Sequence, residues 1–458
     1  MSKTLGQMAR GHEGRAGDPC KDDSEITRLG ERRVVGARSL LRLVCRALSR
    51  ARWFCWGLFV IGVGLVFRMP SETGDAAGKK VRRILVVSLG GIGDLVLNTP
   101  VLRELRKGRP HAMITLLIPE RGRDIYETCP YVDKLLVVDS TLEKRRNPLQ
   151  SLRSARAYWR TEEKHKFDIA LSPRVGLDPF LAFMLYFSAS PLRLGYSECF
   201  TGDLGHWARF TAKHLNLDRL LTRTILVAKP QHEILNSLAI LEALGIKPSD
   251  PSPEVWLRPC DREFAARACR GETANSDGMQ FVVGMGVGAG GPKRIWPLER
   301  QAAIAAWLIA TYDARIILLG GPDEAQAASM LAAQIGPAAI SLAGHTSLRQ
   351  TAAVVEACSI LLVHDSGLLH IGSAVRTPIV EISCHPKSGS PSHSNAPERF
   401  GPWHVPHRIL RPEHPRPPCV DGCCVERQAH CILEIGTEAV QEALSELIGE
   451  QYGRKPNR

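Results

Sequence analysis

At 458 residues, with 44% apolar and 23% charged side chains, the chain has the composition of a soluble globular protein with room for two large domains and an extension. Its net charge of +12 is lopsided: residues 1–83 hold seventeen Lys and Arg against eight Asp and Glu, so +9 sits there and the body is near neutral. A nucleic-acid enzyme carries its basic charge on the folded domains, which argues against nucleic acid as a partner. No cleavable secretory signal is expected, because the apolar segment lies some fifty residues in, and thirteen dispersed cysteines suit a reducing cytoplasm.

In chain order, residues 1–36 are polar without an apolar period and read as a disordered tail. Residues 37–70 change character. Arg38, Arg42, Arg46 and Arg50 form a basic ridge on one side of a helix, with Leu41, Val44, Cys45 and Leu48 on another. The run Trp53–Phe67 has no charge, but its fifteen residues fall short of the ~20 that span a bilayer. Tryptophans at one end and flanking arginines predict attachment to an anionic membrane surface on the cytoplasmic side, either peripherally or through this single helix. A helix packed on the protein body is the alternative. Residues 71–80 read as a linker.

Two alternating sets of strands and helices follow. The first, over 83–255, has strands at Ile84–Ser88, Ala112–Ile118, Lys134–Val138 and Asp168–Leu171. Its helices begin with one running from the Gly90–Gly93 loop through Arg106 and include Leu149–Lys164, Pro179–Ser188 and Glu233–Leu244. The second, over 279–450, has strands at Phe281–Met285, Arg315–Leu319, Ile360–Val363 and Pro378–Ile382, with helices at Leu298–Thr311, Leu348–Ala357, Leu368–Val375 and Thr437–Ile448. This alternation predicts an α/β protein of two Rossmann-like domains, with a ligand between them at the carboxyl ends of the sheets.

Three loops carry the candidate chemistry. Gly90-Gly91-Ile92-Gly93-Asp94 joins a strand to a helix but departs from the dinucleotide fingerprint, and Asp94 would oppose a pyrophosphate there. Asp94 is read as a carboxylate facing the cleft, able to take a proton from a sugar hydroxyl, with a plain helix cap as the alternative. Lys293 and Arg294 follow a glycine-rich loop and can neutralise a diphosphate. In His364-Asp365-Ser366-Gly367, helix-start amides can hold a phosphate, while Asp365 and His370 point to the same spot. Asp323 and Glu324, after Gly-Gly-Pro, can accept from ribose or base, or cap their helix.

With these motifs in order (ILVVSLGGIGDLVLNTPVLREL, the Gly-rich loop with Lys-Arg-x-Trp-Pro, LLGGPDE, LAGHTSL and HDSGLLHIGSA), the chain resembles glycosyltransferase family 9, the ADP-heptose:lipopolysaccharide heptosyltransferases, over roughly Arg83–Ile448. The resemblance implies a GT-B fold with an acceptor-side N-terminal half and a donor-side C-terminal half. It also implies inverting transfer from an ADP-sugar donor to a lipid-linked saccharide acceptor, with no metal and no cofactor. By position it makes Asp94 the general base, beside the acceptor-side loop Gly90, Gly91 and Gly93. It gives the donor Lys293 or Arg294, Asp323 or Glu324, and the turn Asp365, Ser366, Gly367 and His370.

Two other functions are open to the same residues. A nicotinamide oxidoreductase would use the Gly-rich loop but lacks an acidic residue where Leu116 and Leu117 end the second strand. A nucleotide-sugar-binding membrane protein would bind donor without turnover. The late cysteines Cys419, Cys423, Cys424 and Cys431, with His430, do not make two close pairs; no catalytic metal is expected, and a structural metal or a disulfide is the alternative.

Overall fold

The structure is a computed structural model, and it describes residues 58–67, 69, 81–139, 148–161, 167–197, 217–227, 231–270, 281–393, 395–417, 419 and 426–454. The expected tail and the basic helix up to residue 57 lie outside them.

Two six-stranded parallel sheets form the body. In the N-terminal half β1 (Arg83–Val87), β2 (Met113–Pro119), β3 (Lys134–Val138), β4 (Ile169–Leu171), β5 (Leu192–Tyr196) and β6 (Arg223–Ile225) lie in the order β3-β2-β1-β4-β5-β6. The C-terminal half repeats that order with β7 (Val282–Gly286), β8 (Arg315–Leu319), β9 (Ala339–Ser341), β10 (Ile360–His364), β11 (Ile379–Ile382) and β12 (His407–Leu410), arranged β12-β11-β10-β7-β8-β9. Strands covered on both faces must be apolar throughout rather than alternating. Ile84 to Val87 and all of β10 are buried accordingly.

Among the described residues of the two halves, the α-helices of six residues or more are α1 (Ile92–Leu97), α2 (Thr99–Gly108), α3 (Pro148–Thr161), α4 (Pro179–Phe187), α5 (Glu233–Ala239), α6 (Pro259–Cys269), α7 (Leu298–Tyr312), α8 (Ala325–Ile335), α9 (Leu348–Ala357), α10 (Gly367–Ala374) and α11 (Thr437–Tyr452). The single helix expected through Arg106 is instead two. Pro100 has no N–H and would press on the carbonyl four residues back, so the chain breaks at Asn98, whose side chain donates to Ser88 Oγ at 3.0 Å. The helix expected over Glu233–Leu244 tightens into a 3-10 turn at Ile240 and ends at left-handed Gly245.

The last part of the apolar N-terminal run is helical to residue 66. Val60 and Val63 are buried, Phe67 sits edge-on to Phe187 at 5.6 Å, and Tyr186 donates to the Phe67 carbonyl at 2.6 Å. The packed-helix alternative thus describes one face of this segment, while Leu65 and Val66 stay exposed. Among the described residues no helix is long and apolar enough to cross a membrane.

The halves are clasped by ion pairs and a ring stack. Arg349 binds Asp124 at 2.9 Å, Arg399 binds Glu233 at 2.8 Å with both side chains buried, and His232 stacks on Trp403 at 4.1 Å. Such pairs fix geometry more than they add stability, since burying both charges costs about what their attraction returns.

Candidate active site

In each sheet the strand order reverses once, between β1 and β4 and between β7 and β10. At such a point neighbouring loops diverge and leave a crevice beyond the strand ends. Residues from both crevices line one cleft of about 850 Å³.

Its floor is the meeting of α1 with α10, and two glycines make the approach possible. A Cβ at Gly93 would fall 2.4 Å from His370 Cδ2, and one at Gly367 would fall 3.0 Å from Ile92 Cβ. At Gly93 any side chain forces a shift, and at Gly367 the neighbour must give by a few tenths of an ångström.

On the N-terminal side Gly91, Gly93 and Asp94 line the cleft, and Gly90 sits behind the carboxylate: a Cβ there would come within 2.6 Å of Asp94 Oδ2. Asp94 caps its helix and borders the cleft at once. Its Oδ2 accepts from the Gly91 N–H at 2.8 Å, which caps α1, and the side chain still borders the cleft with 22% of its surface exposed. The cap fixes the rotamer of a group whose other lone pairs face the opening. Arg174, just beyond β4, lies 3.9 Å from the same oxygen and also lines the cleft. The linear sequence does not single out Arg174; the signal that finds it is its place after the strand at the reversal point.

On the C-terminal side Arg294 pairs with Asp365 at 3.1 Å. Burial pushes the Asp365 carboxyl up, while Arg294 and then Lys293 pull it back. Ser366 and Gly367 open α10, the Ser366 hydroxyl does not cap that helix, and Ser366, Gly367 and Leu368 at its start line the cleft. His370 is buried, and burial holds its imidazole down at about 3, neutral at physiological pH. Its Nδ1 has no hydrogen-bond partner.

The sequence left two pairs open. Of Lys293 and Arg294, it is Arg294 that lines the cleft; of Asp323 and Glu324, it is Glu324. Glu324 accepts from the Gly321 N–H at 2.7 Å and fills the space that a Cβ on Gly288 would take, 2.2 Å from its Cγ. Thr346, Thr351 and Asn395 also line the opening. No role was expected for them from the sequence: Thr346 lies in the LAGHTSL motif, Thr351 on α9 and Asn395 on a loop.

The oxidoreductase alternative finds no ribose-binding carboxylate at its expected place. β2 runs to Pro119, beyond Leu117, and the next residue, Glu120, turns to Arg123 at 2.8 Å rather than into the cleft.

Comparison with known proteins agrees with this architecture. The sequence profile described as Glycosyltransferase family 9 (heptosyltransferase) matches residues 207–430. Lipopolysaccharide heptosyltransferase 2 of Salmonella typhimurium is 24% identical over 314 residues, which cover 66% of this chain and 82% of that protein. The crystal structure of a glycosyl transferase family 9 protein from Veillonella parvula superposes with a TM-score of 0.61 at 24% identity, covering 81% of this chain and 97% of the other. ADP-heptose lps heptosyltransferase II from E. coli gives 0.56 at 19% identity, covering 80% and 99%. At these identities the structural likeness establishes the fold, which is GT-B.

Proposed function

We propose that this chain, whose residues 207–430 match the glycosyltransferase family 9 profile, is a glycosyltransferase of that family that transfers heptose from ADP-heptose to a lipid-linked core saccharide of lipopolysaccharide, with inversion at the anomeric carbon. The observation that carries this reading is the placement of Asp94 and the Arg294–Asp365–Ser366 turn at the two reversal points that share one cleft.

The acceptor hydroxyl gives its proton to the Asp94 carboxylate as its oxygen bonds to the anomeric carbon. The bond from that carbon to the β-phosphate oxygen breaks on the opposite face, and ADP leaves with the electron pair. Charge on the departing diphosphate is met by Arg294, by neighbouring Lys293 and by the amides at Ser366–Gly367, so the positive charge comes from side chains and backbone rather than from a metal ion. Glu324 accepts from the ribose or base, with Asp323 one residue away. Neutral His370 sits under the sugar without adding charge.

The acceptor is lipid-linked, which suits action at the cytoplasmic face of the inner membrane. The basic arm and the exposed Leu65 and Val66 support attachment there. Co-sedimentation with anionic vesicles at low salt checks that arm, and full-length protein left in the supernatant would refute it.

The activity is tested by incubating the protein with ADP-heptose and a core-saccharide acceptor. The expected result is an acceptor heavier by one heptosyl residue, with one ADP released per transfer. Thermal-shift screening against ADP-, GDP-, UDP- and dTDP-sugars and NAD(P) runs beside it; stabilisation by NAD(P) alone, or by donor without any transfer, would overturn the assignment.

A further inference from the structure

Among its described residues, the connection from β12 to α11 (residues 411–436) contains one short 3-10 turn, Cys431–Glu434, and a small apolar cluster of its own. That cluster is Cys419 and Cys431, packed apart from the cores of both sheets. Beside them stands His430. Its Nδ1 is 3.5 Å from Cys419 Sγ and 3.5 Å from Cys431 Sγ, and the three atoms all lie within 4.8 Å of one another. None of the three residues lines the cleft.

One imidazole nitrogen offers either one N–H or one lone pair, so a single Nδ1 cannot make a good hydrogen bond with two sulfurs at once. A cation between the three atoms satisfies all of them. The dimensions fit: with Zn–S near 2.3 Å and Zn–N near 2.0–2.1 Å, a tetrahedral ion sets the S···N edge at about 3.6 Å. Two thiolates and an imidazole form a soft donor set that selects zinc over magnesium or calcium. A loop-rich excursion without a sizeable core is also where a metal staple has most to hold.

We propose that Cys419, His430 and Cys431 bind a structural zinc ion that braces the back of the donor-side loop. The sequence carries two further thiols on this stretch, Cys423 and Cys424, outside the described residues. From Cys431 the brace runs through hydrogen bonds that the structure gives. Arg300 donates to the carbonyls of Leu433 at 2.8 Å and Ile435 at 2.7 Å, and fully buried Trp296 donates its Nε1–H to the Ile435 carbonyl at 2.9 Å. The Trp296 backbone N–H in turn donates to His364 Nε2 at 3.1 Å, next to Asp365 and two residues from Arg294. The zinc site stands on its own geometry; only its effect on ADP rests on the donor assignment made above.

The test uses the full chain, purified under reducing conditions without a chelator or a histidine tag. Elemental analysis is expected to find about one zinc per chain. Exchange for cobalt should give the strong visible bands of a tetrahedral ion, together with thiolate-to-cobalt charge transfer. The double variant Cys419→Ser/Cys431→Ser should lose the ion, whereas His430→Cys, which keeps a ligand, should retain it. Chelation should lower the melting temperature and weaken ADP binding. A folded, reduced wild-type protein with no transition metal and no cobalt bands would overturn the proposal, as would thiol counting that finds Cys419 and Cys431 joined as a disulfide. Zinc found in the wild-type protein, but with ADP binding unchanged once it is chelated away, would remove the brace and leave the site.

Discussion

The two halves repeat one strand order and then place opposite kinds of group at the same topological point. On the C-terminal side the reversal is crowded with buried polar groups. His364 is held down at about 4 and His370 at about 3 by burial, and Asp365 is pushed up for the same reason. On the N-terminal side Asp94 and Arg174 keep 22% and 35% of their side-chain surface and stand 3.9 Å apart. A dry, fixed wall suits a small charged donor whose diphosphate must be held in one pose, because fixed dipoles in low dielectric cost no reorganisation during reaction. An open wall suits a large acceptor that enters from outside and meets a carboxylate already oriented by its cap. The scaffold is therefore duplicated while the work is divided.

Substitutions on either wall should separate these roles. The largest effect is expected for Asp94→Asn, which keeps the hydrogen bond to Gly91 possible but removes the base: turnover should fall by about 10²–10⁴ in a steady-state transfer assay. Next is Arg294→Ala. Losing a charge-assisted contact worth about 1.5–3 kcal/mol should weaken ADP by roughly 10- to 100-fold in calorimetry. Pairing it with Asp365→Asn, so that no buried carboxylate is left alone, should restore stability without restoring affinity.

Gly93→Ala tests the floor between the two walls. Its methyl meets His370 at 2.4 Å, so the α1–α10 contact must open, at a cost of about 1–3 kcal/mol in denaturant unfolding. The most gradual effect is that of pH. His232 and His364 are held at about 4 and His370 at about 3, below the ordinary histidine value near 6.5. Between those limits the unfolded chain binds more protons than the folded one, so stability is fully present above pH ~6.5 and is lost as pH falls toward 4. The loss is at most about 1.4 kcal/mol per pH unit for each such histidine. Urea unfolding at pH 7, 6 and 5 reads the slope, to which the raised carboxyls of Glu233, Asp365 and Glu381 contribute with the opposite sign; a slope unchanged in His370→Gln would mean that this ring is not buried neutral.

Much of this division is legible in the sequence. Strands β1 and β10 hold unbroken Ile, Leu and Val runs, Ile84–Val87 and Ile360–Val363, and β7 opens on Val282 and Val283; each is followed at once by its motif, so both the sheet and the loop can be read. Strand β5, Leu-Arg-Leu-Gly-Tyr, cannot be read that way. Its Arg193 is buried only because the guanidinium donates to the Leu220 carbonyl at 2.8 Å and the Ser190 carbonyl at 2.6 Å, partners that exist only after folding. β6, β9 and β12 are short and partly exposed, so they carry too few apolar positions to register as strands. The same limit applies at the site. Asp94, Arg294 and Asp365 sit in motifs, whereas Arg174 and Asn395 reach the cleft through topology alone. The three zinc-site residues are visible as cysteines and a histidine, but their spacing does not say that they converge.

The division of labour is tested most directly by single-turnover transfer from preloaded ADP-heptose in Asp94→Asn and Arg294→Ala side by side. Asp94→Asn should bind donor with near-wild-type affinity and transfer it at least ~100-fold more slowly. Arg294→Ala should need far more donor to load. Transfer at the wild-type rate in Asp94→Asn, or equal loss of donor affinity in both variants, would contradict a base on one half and a donor site on the other.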